Sequence, residues 1–202
     1  MIKHCGRCYT EEHKMRVLIS TRTIYSDGGF LFDAVERGFY TMFKGHEIIP
    51  LLNHKDQNFN NIGVDNDLLV LSGGDDHPKR LVTEIEMIKQ FRIQRKPILG
   101  ICHGAFLLTQ LWGGECVDVD GHRRTNHDIK YKTDTGWATR TVNSYHGSAI
   151  TSAPPESEII AVDNDKYIEA WKYGNVLAVM WHPERDKDHW LPINTEVLTK
   201  EL

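Results

Sequence analysis

Short continuous apolar runs alternate along the first half of the chain with segments whose apolar residues recur every three or four positions. The runs RVLIS (Arg16–Ser20), EIIPLL (47–52), DLLVLS (67–72) and PILGI (97–101) predict strands. Their near-continuous hydrophobicity, with little polar alternation, implies that both faces of the sheet they form are covered. Between them, Phe32, Val35, Phe39 and Phe43 fall on one helical stripe and Ile85, Ile88 and Phe91 on another, while AFLLTQLW (105–112) predicts a helix after the fourth run. This order predicts an α/β fold with a doubly wound, mostly parallel central sheet and helices on both faces. From about residue 121 to residue 181 the chain is richer in polar, strand-like pieces and ends in VLAVMWHPE (176–184). No repeat or linker divides it, so residues 15–202 read as one domain behind a loosely ordered polar leader, 1–14.

Composition narrows the partners more than the fold. With 202 residues, 40% hydrophobic and 26% charged, the chain matches an ordinary single globular domain. A net charge of −4 gives no electrostatic footprint for nucleic acid or an anionic membrane, so the expected partner is a small molecule. No apolar run approaches the ~20 residues that span a bilayer, and the start MIKHCGRCYTEEHK lacks the apolar core of a secretion signal. A cytoplasmic location is expected. Four cysteines make no disulfide framework in a chain of this length. Cys5 and Cys8, beside His4 and His13, form half of a zinc pattern. No second CxxC follows, so the pair reads as free thiols and no metal is expected.

The chemistry concentrates at two places. Cys102 lies in a G-x-C-x-G pattern, between Gly100 and Gly104, where the run 97–101 passes into the following helix. Flanking glycines allow a sharp strand-to-helix turn that presents a nucleophile at the carboxyl edge of a parallel sheet, where open α/β folds bind ligands. The positive end of the helix favours a thiolate at such a corner. A buried cysteine that merely fills space at a turn fits the motif equally well. The second place is MWHPERD, directly after the last apolar strand. A thiolate attacking an acyl carbon needs a base to manage its proton, and that base must be oriented by a third group. His182 and Glu184 supply such a pair.

With these residues the chain resembles the class I glutamine amidotransferase-like superfamily, over roughly residues 16–184, and its flavodoxin-like fold. The resemblance implies Cys102 as nucleophile, His182 as general base and acid, and Glu184 as the residue that orients the histidine. LVLSGGDD (69–76) resembles the family's glycine-rich loop, which implies an oxyanion hole from the backbone N–H of Gly74, or Gly73, and that of His103. Within the superfamily, VNSYHGSAI (142–150) and YIEAWKYGNVLAVMWHPER (167–185) are similar to the γ-glutamyl hydrolase (peptidase C26-like) branch. That branch includes the γ-glutamyl-γ-aminobutyrate and γ-glutamyl-CDP-amidate hydrolases. The similarity implies Asn143, Ser144 and His146 as substrate contacts; each is also readable as a loop residue bonded within the protein. Phe106 departs from the pattern, since glutamine-using members carry glutamine four residues after the nucleophile. Either it packs, or the pocket recognises something other than free glutamine. Arg123 and Arg124, in GHRRTNHDIKYK (121–132), are able to fork onto a phosphate or carboxylate, but read better as a solvated basic loop.

The resulting expectation is a cofactor-free hydrolase that cleaves a small γ-glutamyl amide through a glutamyl thioester. The alternatives are a glutaminase component that passes ammonia from glutamine to a synthetase partner, and a silent binding homologue that keeps the fold without turnover.

Overall fold

The computed structural model describes residues 14–54, 59 and 62–193. The Cys5/Cys8 pair lies outside them. The chain runs through β1 (Arg16–Ser20), β2 (Arg22–Tyr25), β3 (Leu31–Ala34), α1 (Gly38–Met42), β4 (Glu47–Leu51), β5 (Leu68–Leu71), α2 (Pro78–Ile93), β6 (Ile98–Ile101) and α3 (His103–Leu111). It continues through β7 (Glu115–Asp118), β8 (Arg123–Thr133), β9 (Gly136–Tyr145), β10 (Ser148–Ser152), β11 (Glu158–Asp163), β12 (Ile168–Tyr173), β13 (Val176–Val179) and a 3-10 turn, Pro183–Arg185.

The principal sheet has the order β4-β1-β5-β6-β13-β12-β11-β8-β9, with β10 and β7 joined through β12. Pairing is parallel from β4 through β13 and antiparallel from β12 outward. The parallel strands are the continuous apolar runs of the sequence. Their side chains divide between two cores with the period of a strand. In β1, Val17 and Ile19 join Phe39, Phe43, Val70 and Leu99 on one face. Leu18 joins Leu69, Met87, Phe91, Ala105 and Leu108 on the other. Each such side chain, fully withdrawn from water, contributes about 1.5–3 kcal/mol before entropy is counted. Pro50 can sit in β4 because that strand is at the sheet edge, where a missing N–H is tolerated. Helix α2 begins with Pro78 at its first turn and buries Thr83, Met87, Ile88 and Phe91 along one stripe.

One expected helix is shorter than its pattern. Phe32 lies on β3 and is 56% exposed, Val35 is in the connection, and only Phe39 and Phe43 of the stripe enter the core at and just after α1. The cause is local. Ser26 Oγ accepts from Phe30 N at 3.1 Å, Gly29 supplies a φ of 79°, and the turn between them pairs Ile24 with Phe32 across a two-stranded hairpin. A glycine turn closing cross-strand pairs outcompetes a helical periodicity that has no cap.

Candidate active site

The site is built where β6 and β13 end side by side. Cys102 N donates to Val179 O at 2.9 Å, extending the strand pairing by one residue. The chain then turns at Cys102 with φ 49° and ψ −101°, and α3 starts at His103. A left-handed conformation at a non-glycine residue costs on the order of 1–3 kcal/mol and concentrates at functional corners. The flanking glycine makes the corner possible sterically, since a Cβ on Gly104 would lie 2.3 Å from Leu71 O. With no side chain there, α3 settles directly on β5.

His182 follows β13, and the 3-10 turn folds Glu184 back beneath it, with His182 Nδ1 2.6 Å from Glu184 Oε1. The other face of the ring meets the Cys102 thiol. Burial alone would lower the His182 pKa, but hydrogen bonds to Cys102 and Glu184 and the charges of both outweigh it and raise the value to about 9. Asn143 clamps the backbone at this position: its Nδ2 donates to His182 O and its Oδ1 accepts from His182 N, both at 2.9 Å. Tyr145 stands edge-on to the His182 ring at 5.4 Å. The Arg185 guanidinium lies 4.4 Å above the Tyr145 ring and is held by Glu36 through two bonds of 2.9 Å.

The loop after β5 closes the other side. A Cβ on Gly73 would stand 2.3 Å from His182 Cε1, so only glycine lets the loop reach the imidazole. Gly74 has φ 131°. This loop and the start of α3 are braced by one buried network. Arg80 donates to the carbonyl oxygens of Ser72 and Gly73 and to Glu84 Oε1 at 2.9 Å. Glu84 Oε2 lies 2.9 Å from His103 Nε2, and His103 Nδ1 is 2.8 Å from Asp76 Oδ1. Burial opposes charge on Glu84, but the His103 hydrogen bond and the Arg80 charge prevail and lower its pKa. At a helix start the first N–H groups have no intrahelical acceptor, which leaves that of His103 available to a ligand.

A pocket of about 550 Å³ opens over this corner, lined among others by Cys102, Asp76, Phe106, Arg123, Tyr145 and His146. Phe106 meets the His146 ring edge-on at 6.4 Å. Burial, with the charges of neighbouring histidines, holds the His146 pKa down at about 4, so the ring is neutral.

The expected substrate contacts therefore separate. Phe106 and His146 are at the pocket. Asn143 and Ser144 hydrogen-bond within the protein, the first to the His182 backbone and the second to His122 O. Arg123 faces the pocket although its sequence context suggested a solvated loop, and its guanidinium packs over Gly147, where a Cβ would meet Nη2 at 2.4 Å. Tyr145 and Asp76 fall within VNSYHGSAI and LVLSGGDD, and Arg80 and Glu84 bound RLVTE, but none of the four was among the expected site residues. The one available signal was the i,i+4 placement of Arg80 and Glu84 on the apolar stripe of α2, a position where charges are unusual unless paired.

Residues 35–190 match the family model described as glutamine amidotransferase class-I. The chain is 33% identical over 122 residues to the carbamoyl phosphate synthase small chain of Clostridium perfringens, covering 58% of this chain and 34% of that one. It is 27% identical over 129 residues to the γ-glutamyl-CDP-amidate hydrolase of Campylobacter jejuni, covering 58% of this chain and 62% of that protein. The alignments thus span about a third of the synthase small chain and less than two thirds of the hydrolase. A crystal structure of a glutamine amidotransferase from Thermotoga maritima superposes with a TM-score of 0.68 at 19% identity, over 85% of this chain and 77% of that one, which is a likeness of fold. Among the described residues no helix is long and apolar enough to cross a membrane.

Proposed function

The chain belongs to the class I glutamine amidotransferase family, and from that premise we propose that it is a cysteine hydrolase that cleaves the γ-glutamyl amide bond of a small conjugate. The observation that carries the reading is the strained Cys102 corner set against a His182 ring whose far nitrogen is tied to Glu184. Cys102 sulfur attacks the γ-carbonyl carbon, the carbonyl π pair moves to oxygen, and the C–N bond breaks as His182 delivers its proton to the departing amine. Water then adds to the glutamyl thioester while His182 takes its proton, the C–S bond breaks, and glutamate leaves. The negative oxygen of each tetrahedral state sits between the backbone N–H groups of His103 and of Gly74, or Gly73; one such donor is worth ~3 kcal/mol of barrier. Glu184 holds the imidazole in the tautomer that presents Nε2 to sulfur. No cofactor enters this cycle.

The leaving-group side supports a conjugate over free glutamine. Phe106 presents an aromatic edge where glutamine users carry a polar side chain, and Arg123 offers a cation to an anionic amine component such as a phosphate-bearing one. The Campylobacter jejuni relative is named a γ-glutamyl-CDP-amidate hydrolase, and a CDP-amidate leaving group fits that description. The second reading is a glutaminase subunit feeding ammonia to a synthetase, favoured by the likeness to carbamoyl phosphate synthase small chains. Incubation with a panel of γ-glutamyl amides, glutamine included, while glutamate release is followed separates the two. Turnover of a conjugate by the isolated protein supports the hydrolase. Silence on every conjugate, with glutamine hydrolysis appearing only on addition of a synthetase, replaces it by the glutaminase.

A further inference from the structure

Four side chains far apart in the sequence converge beneath the pocket, in the antiparallel half of the sheet. His122 precedes β8, His127 lies on it, His146 sits between β9 and β10, and Glu169 is on β12. One candidate ligand atom from each lies within 4.8 Å of all the others. The His146 and Glu169 side chains are each 1% exposed. His122 Nδ1, His127 Nε2, His146 Nε2 and Glu169 Oε2 are all buried with no hydrogen-bond partner. Folded proteins leave only scattered polar atoms in that condition, and a group of them in one place calls for something that satisfies them together.

The distances say what that is. His127 Nε2 and His146 Nε2 lie 3.4 and 3.6 Å from the same oxygen, Glu169 Oε1. Both exceed the roughly 2.7–3.2 Å of an N–H···O bond. They match the edges of a ligand tetrahedron around zinc, roughly 3.3–3.6 Å for metal bonds of ~2.0–2.2 Å. Orientation adds an independent argument. His146 Nδ1 is 2.8 Å from Ser148 O, a carbonyl that only accepts, so Nδ1 carries a proton and Nε2 is the ring nitrogen turned toward the Glu169 carboxyl group. A backbone carbonyl on the far nitrogen is also the partner that orients metal-bound histidines. Charge balances as well. Three neutral imidazoles and one carboxylate leave one positive charge on a divalent ion, and Asp163, 5% exposed, brings a second carboxylate to 3.9 Å from His122 Nε2.

We propose that His122, His127, His146 and Glu169 bind a zinc ion that fastens β8, the β9–β10 turn and β12 together beneath the active-site pocket. Imidazole and carboxylate ligands without thiolate suit zinc, and a closed set of four protein ligands is the structural type of site. Its mechanical effect passes through Tyr145, which immediately precedes His146 and packs against His182. The ion takes no part in the bond-making steps.

The test uses the full chain, produced with zinc supplied, and reads the metal directly. Elemental analysis is expected to find about one zinc per chain, and X-ray absorption at the zinc edge to show nitrogen and oxygen ligands with imidazole scattering and no sulfur. To separate this cluster from the CxxC pattern of Cys5 and Cys8, the Cys5→Ser/Cys8→Ser variant is expected to keep its zinc, while Glu169→Gln and His127→Ala lose it. Should those two variants fail to fold, the ligand atoms found in the native protein decide alone. Removing zinc with a chelator is expected to lower the thermal midpoint by several degrees, and zinc alone, added back, to restore it. A protein that takes up no zinc after chelation and re-addition, or one whose zinc is bound by sulfur and vanishes with the two cysteines, overturns the proposal.

Discussion

Glu84 Oε2 and His103 Nε2 are 2.9 Å apart in the interior, and through them helix α2 holds the first residue of α3. The same carboxylate receives Arg80, which grips the Ser72 and Gly73 carbonyls, so both backbone walls of the thiol corner hang from one anion. Glu84→Gln keeps the shape and removes the charge, leaving the Arg80 guanidinium buried without its counter-ion. Breaking one side of such a pair costs about 3–5 kcal/mol. The folded Glu84 value is depressed, so its contribution is present above the ordinary carboxylate range and is lost as pH falls through the lowered value. Denaturant titrations should show the variant's deficit at neutral pH and its disappearance in acid.

Cys102→Ala and His182→Ala should each remove nearly all glutamate release, by about 10⁴-fold or more, and the double variant should be no worse than either alone. Circular dichroism should show folded protein throughout. Substantial turnover by folded Cys102→Ala would end the thioester mechanism, and a native protein inert toward every amide would leave the silent-homologue reading.

His182 carries a pKa of about 9 in the fold, above the 6.5 of an ordinary histidine. Its proton therefore stabilises the native state fully below about pH 6.5, and that contribution fades as pH rises through about 9. The thermal midpoint of the native protein should fall over this interval by more than that of His182→Gln. A plot of kcat/KM should decline on its alkaline side near the same value, because the amine then leaves without its proton.

Burial pushes the Cys116 thiol up to about 11, which leaves it almost wholly protonated at neutral pH. Iodoacetamide followed by peptide mapping should find Cys102 modified well before Cys116. Equal rates at the two positions would return Cys102 to the status of a space-filling thiol.

Phe106 tests the substrate side. The isolated protein should favour some γ-glutamyl conjugate over glutamine by at least roughly tenfold in kcat/KM, equivalent to ~1.4 kcal/mol in the transition state. Phe106→Gln should narrow that ratio if the ring reads the leaving group, and leave it unchanged if the ring only packs on His146.

The parallel half of the sheet was legible because a strand buried on both faces has no polar positions to blur it, as in LLVL of β5. The segment around Phe32 was misread because its period fits a helix, whereas the Ser26–Phe30 turn acts over a few residues that a stripe-counting argument ignores. At the site, the Cys102 corner and the His182–Glu184 pair were legible because each is encoded within a handful of neighbouring residues. Asn143 was located but its partner was not, since nothing in VNSYHGSAI says that the amide will turn to a backbone 39 positions away. The histidine–glutamate cluster was invisible for the same reason. Its members are spread over the turn before β8, β8 itself, the β9–β10 turn and β12, and only the register of an antiparallel sheet brings them together.

Because β13 is inserted between β6 and β12, the last strand of the sheet completes the thiol's surroundings. A nascent chain that has emerged only as far as β12 already holds the cysteine corner in sequence but has neither the strand beside it nor the imidazole. The sulfur thus acquires its strand neighbour and its base together, from β13 and the His182 that follows it.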